Sequence, residues 1–103
     1  MNFDKFLPLT ETTFYIMISL IKPSHGYAIM QNVDLLSENK VKVAAGTLYG
    51  AIEKLLKQKL ITSVESEDTR RKVYVLTDQG KAVLKLEIVR MRHLINITQD
   101  LVY

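Results

Sequence analysis

Basic side chains recur at two places in this 103-residue sequence, at spacings that would let them act together. Lys54 and Lys57 are three residues apart, so they share one side of a helix. Arg70, Arg71 and Lys72 are consecutive. Ammonium and guanidinium groups bind phosphate and carboxylate oxygens, and the guanidinium does so with two parallel N–H groups. This chemistry suggests an anionic partner.

The position of the charge is more informative than its total of +3. Residues 40–72 include eight basic and four acidic side chains, a net charge of +4. The rest of the chain has six basic and seven acidic side chains, a net charge of −1. A solvated basic face without a ligand is the alternative interpretation. It loses weight if this stretch forms the surface that a fold presents to nucleic acid.

Catalytic and metal chemistry find little support. The sequence has no cysteine, which excludes disulfides, thiolate nucleophiles and cysteine-ligated metal sites. His25 and His93 are far apart, without paired carboxylates at ligand spacing or a phosphate-binding glycine loop. We interpret His25 as fixing the turn into a helix, and the role of His93 stays open. The prediction is therefore no catalytic residue, no metal and no cofactor.

Length and hydropathy indicate one small domain. A chain of 103 residues that is 48% hydrophobic is long enough for a single core. The apolar run 14–21 is much shorter than the roughly 18 residues of a membrane span. Acidic residues precede this run and no small-residue cleavage site follows it, so it does not look like a secretory signal. We expect a complete intracellular protein, located in the cytoplasm.

Hydrophobic periodicity and capping residues predict the elements. Thr10 is a candidate cap for a helix that ends before Pro23, and Ser24 for a second helix to about residue 37. Residues 41–43 alternate like a short edge strand, and 45–59 have a helical period. Strands at 60–64 and 72–76 form a hairpin, and Thr77 caps a last helix that runs nearly to the end. The predicted core-facing positions of the second and third helices are Tyr27, Ile29, Met30, Val33, Leu36, Leu48, Ile52, Leu55 and Leu56.

This order is that of a winged helix-turn-helix. The predicted fold is mainly α with a small β-hairpin, in which residues 1–76 form the winged domain with its N-terminal arm. Residues 77–103 form a C-terminal dimerisation helix. In a winged helix the third helix and the hairpin face DNA, and these are the elements that hold the positive charge.

The third helix has an outward face suited to a DNA groove. Two glycines on it, Gly46 and Gly50, cost about 1 kcal/mol each relative to alanine, but they let backbone approach a phosphate or base edge. Gly46 has a simpler alternative as a helix start, and Gly50 an equally weighted one as a tight helix contact. Glu53 pairs with Lys57 or, less favoured, accepts from a cytosine amino group. The predicted DNA-binding residues are Lys42, Gly46, Thr47, Tyr49, Gly50, Lys54, Lys57, Arg70, Arg71 and Lys72.

Five short motifs occur in one register along most of the chain. They are 23–29 (PSHGYAI), 45–49 (AGTLY), 60–61 (LI), 70–74 (RRKVY) and 76–80 (LTDQG). Together they resemble the PadR-like transcriptional regulators from Thr10 to about Leu84. The resemblance implies a homodimeric winged-helix regulator, usually a repressor, that binds an inverted repeat in double-stranded DNA and is released by a small aromatic effector. Ala45 and Gly50 stand where the family often has proline, and the wing is more acidic than usual.

The last helix has two apolar lines where packing on its own domain requires one. One passes through Leu84, Ile88 and Met91, the other through Val83 and Leu86. A frayed or monomer-buried helix is the alternative to a dimer interface. The predicted dimerisation residues are Phe3, Phe6, Leu7, Leu84, Ile88, Met91, Ile95 and Val102. A two-fold dimer would place its third helices about 34 Å apart and read a palindromic operator.

Two other functions are compatible with the same fold. A winged helix used only for protein–protein contact would not depend on Lys54 or Lys57 for binding and would bind DNA weakly, with little salt dependence. A ligand sensor would add a pocket at the dimer interface, with Tyr15, Met17 or Met91 as candidate lining residues. The same side chains are more often plain core.

Overall fold

A computed structural model describes residues 2–67 and 70–102, without the side chain of Val102. A short 3₁₀ helix at Asp4–Phe6 leads into α1 (Glu11–Ser19), β1 (Ser24–His25), α2 (Gly26–Leu36) and α3 (Ala45–Lys57). Strands β2 (Ile61–Val64) and β3 (Val73–Leu76) precede α4 (Asp78–Ile97) and α5 (Gln99–Val102). We call β2, β3 and the segment between them the wing. The fold is a winged helix-turn-helix with a long C-terminal helix, as the sequence predicted.

Capping side chains begin the helices. The hydroxyls of Thr10 and Thr77 accept the backbone N–H groups of Thr13 and Gly80, each at 3.1 Å, which confirms both predicted caps. The second helix is capped by the His25 ring rather than by Ser24, since His25 Nδ1 accepts from the Ala28 N–H.

The sheet joins distant parts of the chain. Its order is β1-β3-β2 and both pairs are antiparallel. Ile61 pairs with Leu76 in the hairpin, whereas Ser24 pairs with Tyr74. The wing is therefore held by the segment that starts α2. Such support is needed because an isolated two-stranded hairpin is marginal in water.

The predicted strand at residues 41–43 is wrong. This segment is a loop, in which the Val41 N–H donates to the Ser37 hydroxyl at 3.0 Å. Just before it, Glu38 and Asn39 have φ values of 55° and 66°, in the left-handed region. The chain leaves α2 through these turns and finds no strand partner among the described residues.

The core lies between α1, α2, α3, the inner side of the sheet and the start of α4. Residues from all of these elements are nearly inaccessible to solvent, among them Ile16, Leu20, Ile29, Val33, Leu48, Ile52, Leu55, Ile61, Val83 and Leu84. Three residues predicted to face the core, Tyr27, Leu36 and Leu56, are instead substantially exposed. They lie at the margins of their apolar stripes, where no neighbouring helix covers them. The last helix is also interrupted, because Thr98 ends α4 before α5.

Candidate nucleic-acid interface

The outer face of α3 is exposed along its whole length. Leu48, Ile52 and Leu55 anchor the opposite face in the core. With 100° per residue, Gly46, Gly50 and the Glu53–Lys57 pair lie along the middle of the outer face. The predicted outward residues that the structure finds exposed are Gly46, Thr47, Tyr49, Gly50, Glu53, Lys54 and Lys57.

Both glycines of α3 leave open space beside the helix. A methyl group added to Gly46 or Gly50 would have no described neighbouring atom within 4 Å. The interpretation of Gly50 as a tight contact with a neighbouring helix is therefore wrong within the protomer. The outer face of α3 is smooth at its first two turns, so a ligand can approach the backbone closely.

The acidic residue on this face is paired. Glu53 Oε1 lies 3.9 Å from Lys57 Nζ, four residues along the helix, and both side chains are exposed. This contact confirms the favoured interpretation of Glu53. An exposed pair of this kind contributes little to folding stability, so Lys57 can exchange Glu53 for a stronger anion at small cost.

Tyr49 crosses from α3 to the start of α2. A Cβ atom on Gly26 would lie 2.5 Å from the Tyr49 hydroxyl, so the ring lies directly against that glycine. The Tyr74 side chain from β3 is close by. Burial raises the pKa of the Tyr74 hydroxyl, and electrostatic interaction with Tyr49 raises it further. The two tyrosines thus adjoin where α2, α3 and the wing meet.

A cavity of about 590 Å³ opens at this junction, and we call it the wing cleft. It brings together Tyr49 and all three predicted basic residues of the wing, Arg70, Arg71 and Lys72. Its other described lining residues are His25, Gly26, Tyr27, Ala28, Gln31 and Tyr74. None of these ten side chains is acidic, so the cleft favours an anion.

His25 is a member of this site that the sequence did not identify. Its expected role at the turn into α2 is confirmed by the Nδ1 contact with the Ala28 N–H at 3.4 Å. Its other nitrogen, Nε2, lies 3.1 Å from Arg71 Nη1 of the wing. The two residues are 46 positions apart, and only the pairing of β1 with β3 brings them together. No local pattern in the sequence signals that contact.

Two predicted DNA-binding lysines lie outside the wing cleft. Lys54 is on the flank of α3 that faces the N-terminal segment, in a groove with Phe6 and Pro8. Lys42 lies in the loop before α3, in a shallow groove with Asp34. The predicted residues therefore form a broad surface centred on α3, with the wing cleft at one side and Lys54 at the other.

The predicted dimerisation residues divide by burial. Leu84 is only 5% exposed and belongs to the protomer's own core, so it is not available to a partner. Ile88, Met91, Phe3, Phe6 and Leu7 are half-buried, and the last three pack against that core. Ile95 is 65% exposed, and the side chain of Val102 lies outside the described part of the chain. Large apolar side chains exposed on the C-terminal helices are Leu86, Val89, Leu94, Ile95, Ile97 and Leu101.

Other sequence predictions can be placed as well. Met17 is completely buried in the core, so it cannot line an accessible pocket in the protomer, whereas Tyr15 and Met91 are half-buried. His93 is exposed on α4. Across residues 2–67 and 70–102, no three histidine, aspartate or glutamate side chains cluster as metal ligands would. None of the helices in this part of the chain has the length and apolar composition needed to cross a bilayer.

Comparison with known proteins agrees with this geometry. Residues 16–86 match the transcriptional regulator PadR-like family, which is more than half of the chain. The protein belongs to the PadR-like family. An uncharacterised protein of Lysinibacillus sphaericus is 31% identical over 78 residues, which are 73% of this chain and 71% of that one. The family consists of transcriptional regulators.

Solved structures of the PadR-like family share the architecture of this member. A PadR family transcription regulator from Clostridium difficile superposes with a TM-score of 0.74 at 23% identity, covering 91% of this chain and all of that one (100%). A PadR family regulator from Eggerthella lenta has a TM-score of 0.71 at 26% identity, covering 87% and 80% of the two chains. The winged-helix fold and the long C-terminal helix are thus those of the family.

Proposed function

We propose that this PadR-like protein is a sequence-specific DNA-binding repressor. The observation that carries the proposal is the outer face of α3, which is exposed, free of side chains at Gly46 and Gly50, and flanked by the basic wing cleft. A helix with such a face can enter the major groove of DNA, while flanking cations neutralise phosphates. The absence of acidic side chains from the described lining of the cleft supports the same partner.

Each predicted contact has a place in this arrangement. Gly46 and Gly50 allow close approach to the DNA, and Thr47 can donate to a phosphate or base edge from the first turn of α3. Lys54 and Lys57 contact phosphates on either side of the groove. The wing residues contribute from the side of Tyr49, and Lys42 extends the basic surface in front of α3.

The proposed active form is a homodimer in the cytoplasm that binds an inverted-repeat operator. Residues 1–76 form its DNA-binding part and 77–103 its dimerisation part. Apolar side chains on α4 support this, since a monomer would leave Ile95 and Ile97 in water. A small aromatic effector bound at the interface would release the DNA. No catalysis and no cofactor is part of the proposal.

A mobility-shift titration against the DNA upstream of the protein's own gene tests DNA binding, with salt concentration as the second variable. We expect one protein dimer per site and an affinity that falls steeply with salt, because phosphate contacts displace counterions. Weak binding without salt dependence would instead favour the alternative function, a winged-helix module for protein–protein contact.

The lysines of α3 provide a quantitative prediction. Lys54→Ala and Lys57→Ala should each weaken binding to every DNA sequence and lower the salt slope by about one unit, the effect of losing one phosphate contact. Lys85→Ala is the matched control, since this exposed lysine lies on α4. An unchanged slope for either variant of α3 would remove that lysine from the interface.

A further inference from the structure

The His25 ring lies between two hydrogen-bond donors. The Ala28 N–H faces Nδ1 at 3.4 Å, and the Arg71 guanidinium faces Nε2 at 3.1 Å. Both neighbours only donate, whereas a neutral imidazole has one acceptor nitrogen and one N–H group. Because Nδ1 accepts at the cap of α2, Nε2 carries the hydrogen. Two donors, Nε2–H and the Arg71 guanidinium, therefore converge on the same part of the wing cleft.

We propose that the wing cleft binds a phosphate group of the DNA backbone, held jointly by His25 Nε2–H and the Arg71 guanidinium. A phosphate oxygen between these two groups accepts from both and removes the conflict between donors. The proposal rests on the proposed function and deepens it, because it assigns a backbone contact to His25.

The rest of the described lining fits the same ligand. Tyr49 and Tyr74 each present a phenolic hydroxyl at the cleft, and Arg70 and Lys72 add positive charge. The Tyr49 hydroxyl lies against Gly26, next to His25, so it is near enough to donate to the same anion. Burial and the neighbouring Tyr49 raise the pKa of Tyr74, which keeps that hydroxyl protonated as a donor.

The fold holds the two main ligands in register. His25 pairs with Val73 across the sheet, and Arg71 is two residues before Val73 on the wing. His25 is fixed from the other side by its cap on α2. Binding a phosphate here would therefore tie the wing and α2 to one point of the DNA backbone beside the groove that α3 enters.

Two matched variants and their combination test the shared contact. His25→Asn keeps an N-cap acceptor for α2 but lacks the ring Nε2–H. Arg71→Gln removes the guanidinium. Each should weaken operator binding about tenfold at fixed salt, the effect of losing one charge-assisted hydrogen bond. The double variant should lose little more than either single one, because both groups hold the same phosphate.

Lys85→Gln, on α4, controls for the loss of one positive charge, and circular dichroism verifies folding of each variant. Wild-type affinity of His25→Asn would overturn the proposal, and so would losses that multiply in the double variant. If Lys57→Ala weakens binding while the cleft variants do not, only this inference fails. If the wild-type protein binds no DNA, the proposed function fails with it.

Nitrogen NMR of the His25 ring in the full-length protein gives a readout that does not depend on affinity. The free protein should show the Nε2–H tautomer, and operator DNA should shift the Nε2 resonance. DNA with a methylphosphonate in place of the contacted phosphate should abolish that shift. An Nδ1–H tautomer in the complex would contradict the proposal. A shift caused by inorganic phosphate alone, and insensitive to methylphosphonate, would assign the cleft to a free anion and overturn the DNA assignment.

Discussion

Two glycines of the interface differ in what a side chain would meet. At Gly26 a Cβ atom would collide with the Tyr49 hydroxyl, so glycine is what lets Tyr49 lie against α2. At Gly50 a Cβ atom would meet no described atom within 4 Å, so packing gives no reason for glycine in the middle of a helix. Retaining an unfavourable residue at an exposed site is consistent with a ligand that needs the space.

Gly50→Ala should therefore separate folding from binding. Alanine at this exposed helical position should raise the free energy of unfolding by about 1 kcal/mol, because it restricts the unfolded chain and favours the helix. The same methyl group should lower operator affinity by blocking close approach. Urea denaturation and fluorescence anisotropy measure the two effects.

Gly26→Ala is the comparison for Gly50→Ala. It should weaken binding through displacement of Tyr49, without the full gain in stability. If Gly50→Ala bound the operator as tightly as the wild-type protein, DNA would not approach α3 at that turn.

At the scale of elements, one buried carboxylate links the N-terminal segment to α4. Glu87 is 1% exposed, and its Oε2 accepts the Leu9 N–H at 2.6 Å. Its Oε1 accepts from the Arg90 guanidinium one turn along the helix. Leu9 immediately precedes the Thr10 cap of α1. Glu87 thus fixes the start of the winged domain against the helix proposed to form the dimer.

Glu87 predicts an acid sensitivity of folding. The hydrogen bond from Arg90 lowers the pKa of this carboxyl below its ordinary 4.5, burial opposes that change, and the Leu9 N–H reinforces it. A lowered folded-state pKa means that the charged carboxylate stabilises the fold above pH 4.5, and that this contribution is lost as the pH falls through the folded value. Urea denaturation between pH 7 and pH 3 should show this loss.

Glu87→Gln should reduce the free energy of unfolding at pH 7 by about 1 to 3 kcal/mol, the range for a hydrogen bond to a charged group. It should also flatten the acid dependence, since the variant has no proton to gain at this site. Glu38→Gln, at an exposed turn, is the control and should change neither quantity. Equal acid dependence of Glu87→Gln and wild type would show that Glu87 does not carry the effect.

At the scale of the whole molecule, α4 belongs to two environments. Its first half supplies Val83, Leu84 and Glu87 to the protomer core. Its second half extends beyond that core and exposes apolar side chains such as Leu94 and Ile95. A truncation after Gly80 would remove core residues together with the proposed interface, so a point change near the end of α4 is the cleaner test.

Ile95→Glu should convert the proposed dimer to monomers without unfolding them, because this side chain is exposed in the protomer and a buried charge at an interface is costly. Operator affinity should fall sharply, since each monomer would contact one half-site. Sedimentation analysis and anisotropy measure both effects. Leu35→Glu introduces the same charge at an exposed apolar residue on α2 and should leave the dimer intact. A dimeric Ile95→Glu protein would place the interface elsewhere.

Local chemistry made much of this protein readable from its sequence. The hydroxyls of Thr10 and Thr77 and the spacing of Leu48, Ile52 and Leu55 determine where helices begin and which face of α3 is buried. These features act within one or two helical turns, so periodicity and capping rules capture them. The outward set on α3 followed directly from its buried set.

Only the tertiary structure decided what lies next to what across long stretches of chain. Pairing of β1 with β3 places His25 beside Arg71, and Glu87 meets Leu9 across 78 positions. The exposure of Tyr27, Leu36 and Leu56 depended likewise on which helices cover them. Such contacts arise from the packing of whole elements, and no spacing within a single helix or strand records them. The sequence alone determined the elements and the basic surface, whereas the fold decided which of those residues meet in one cleft.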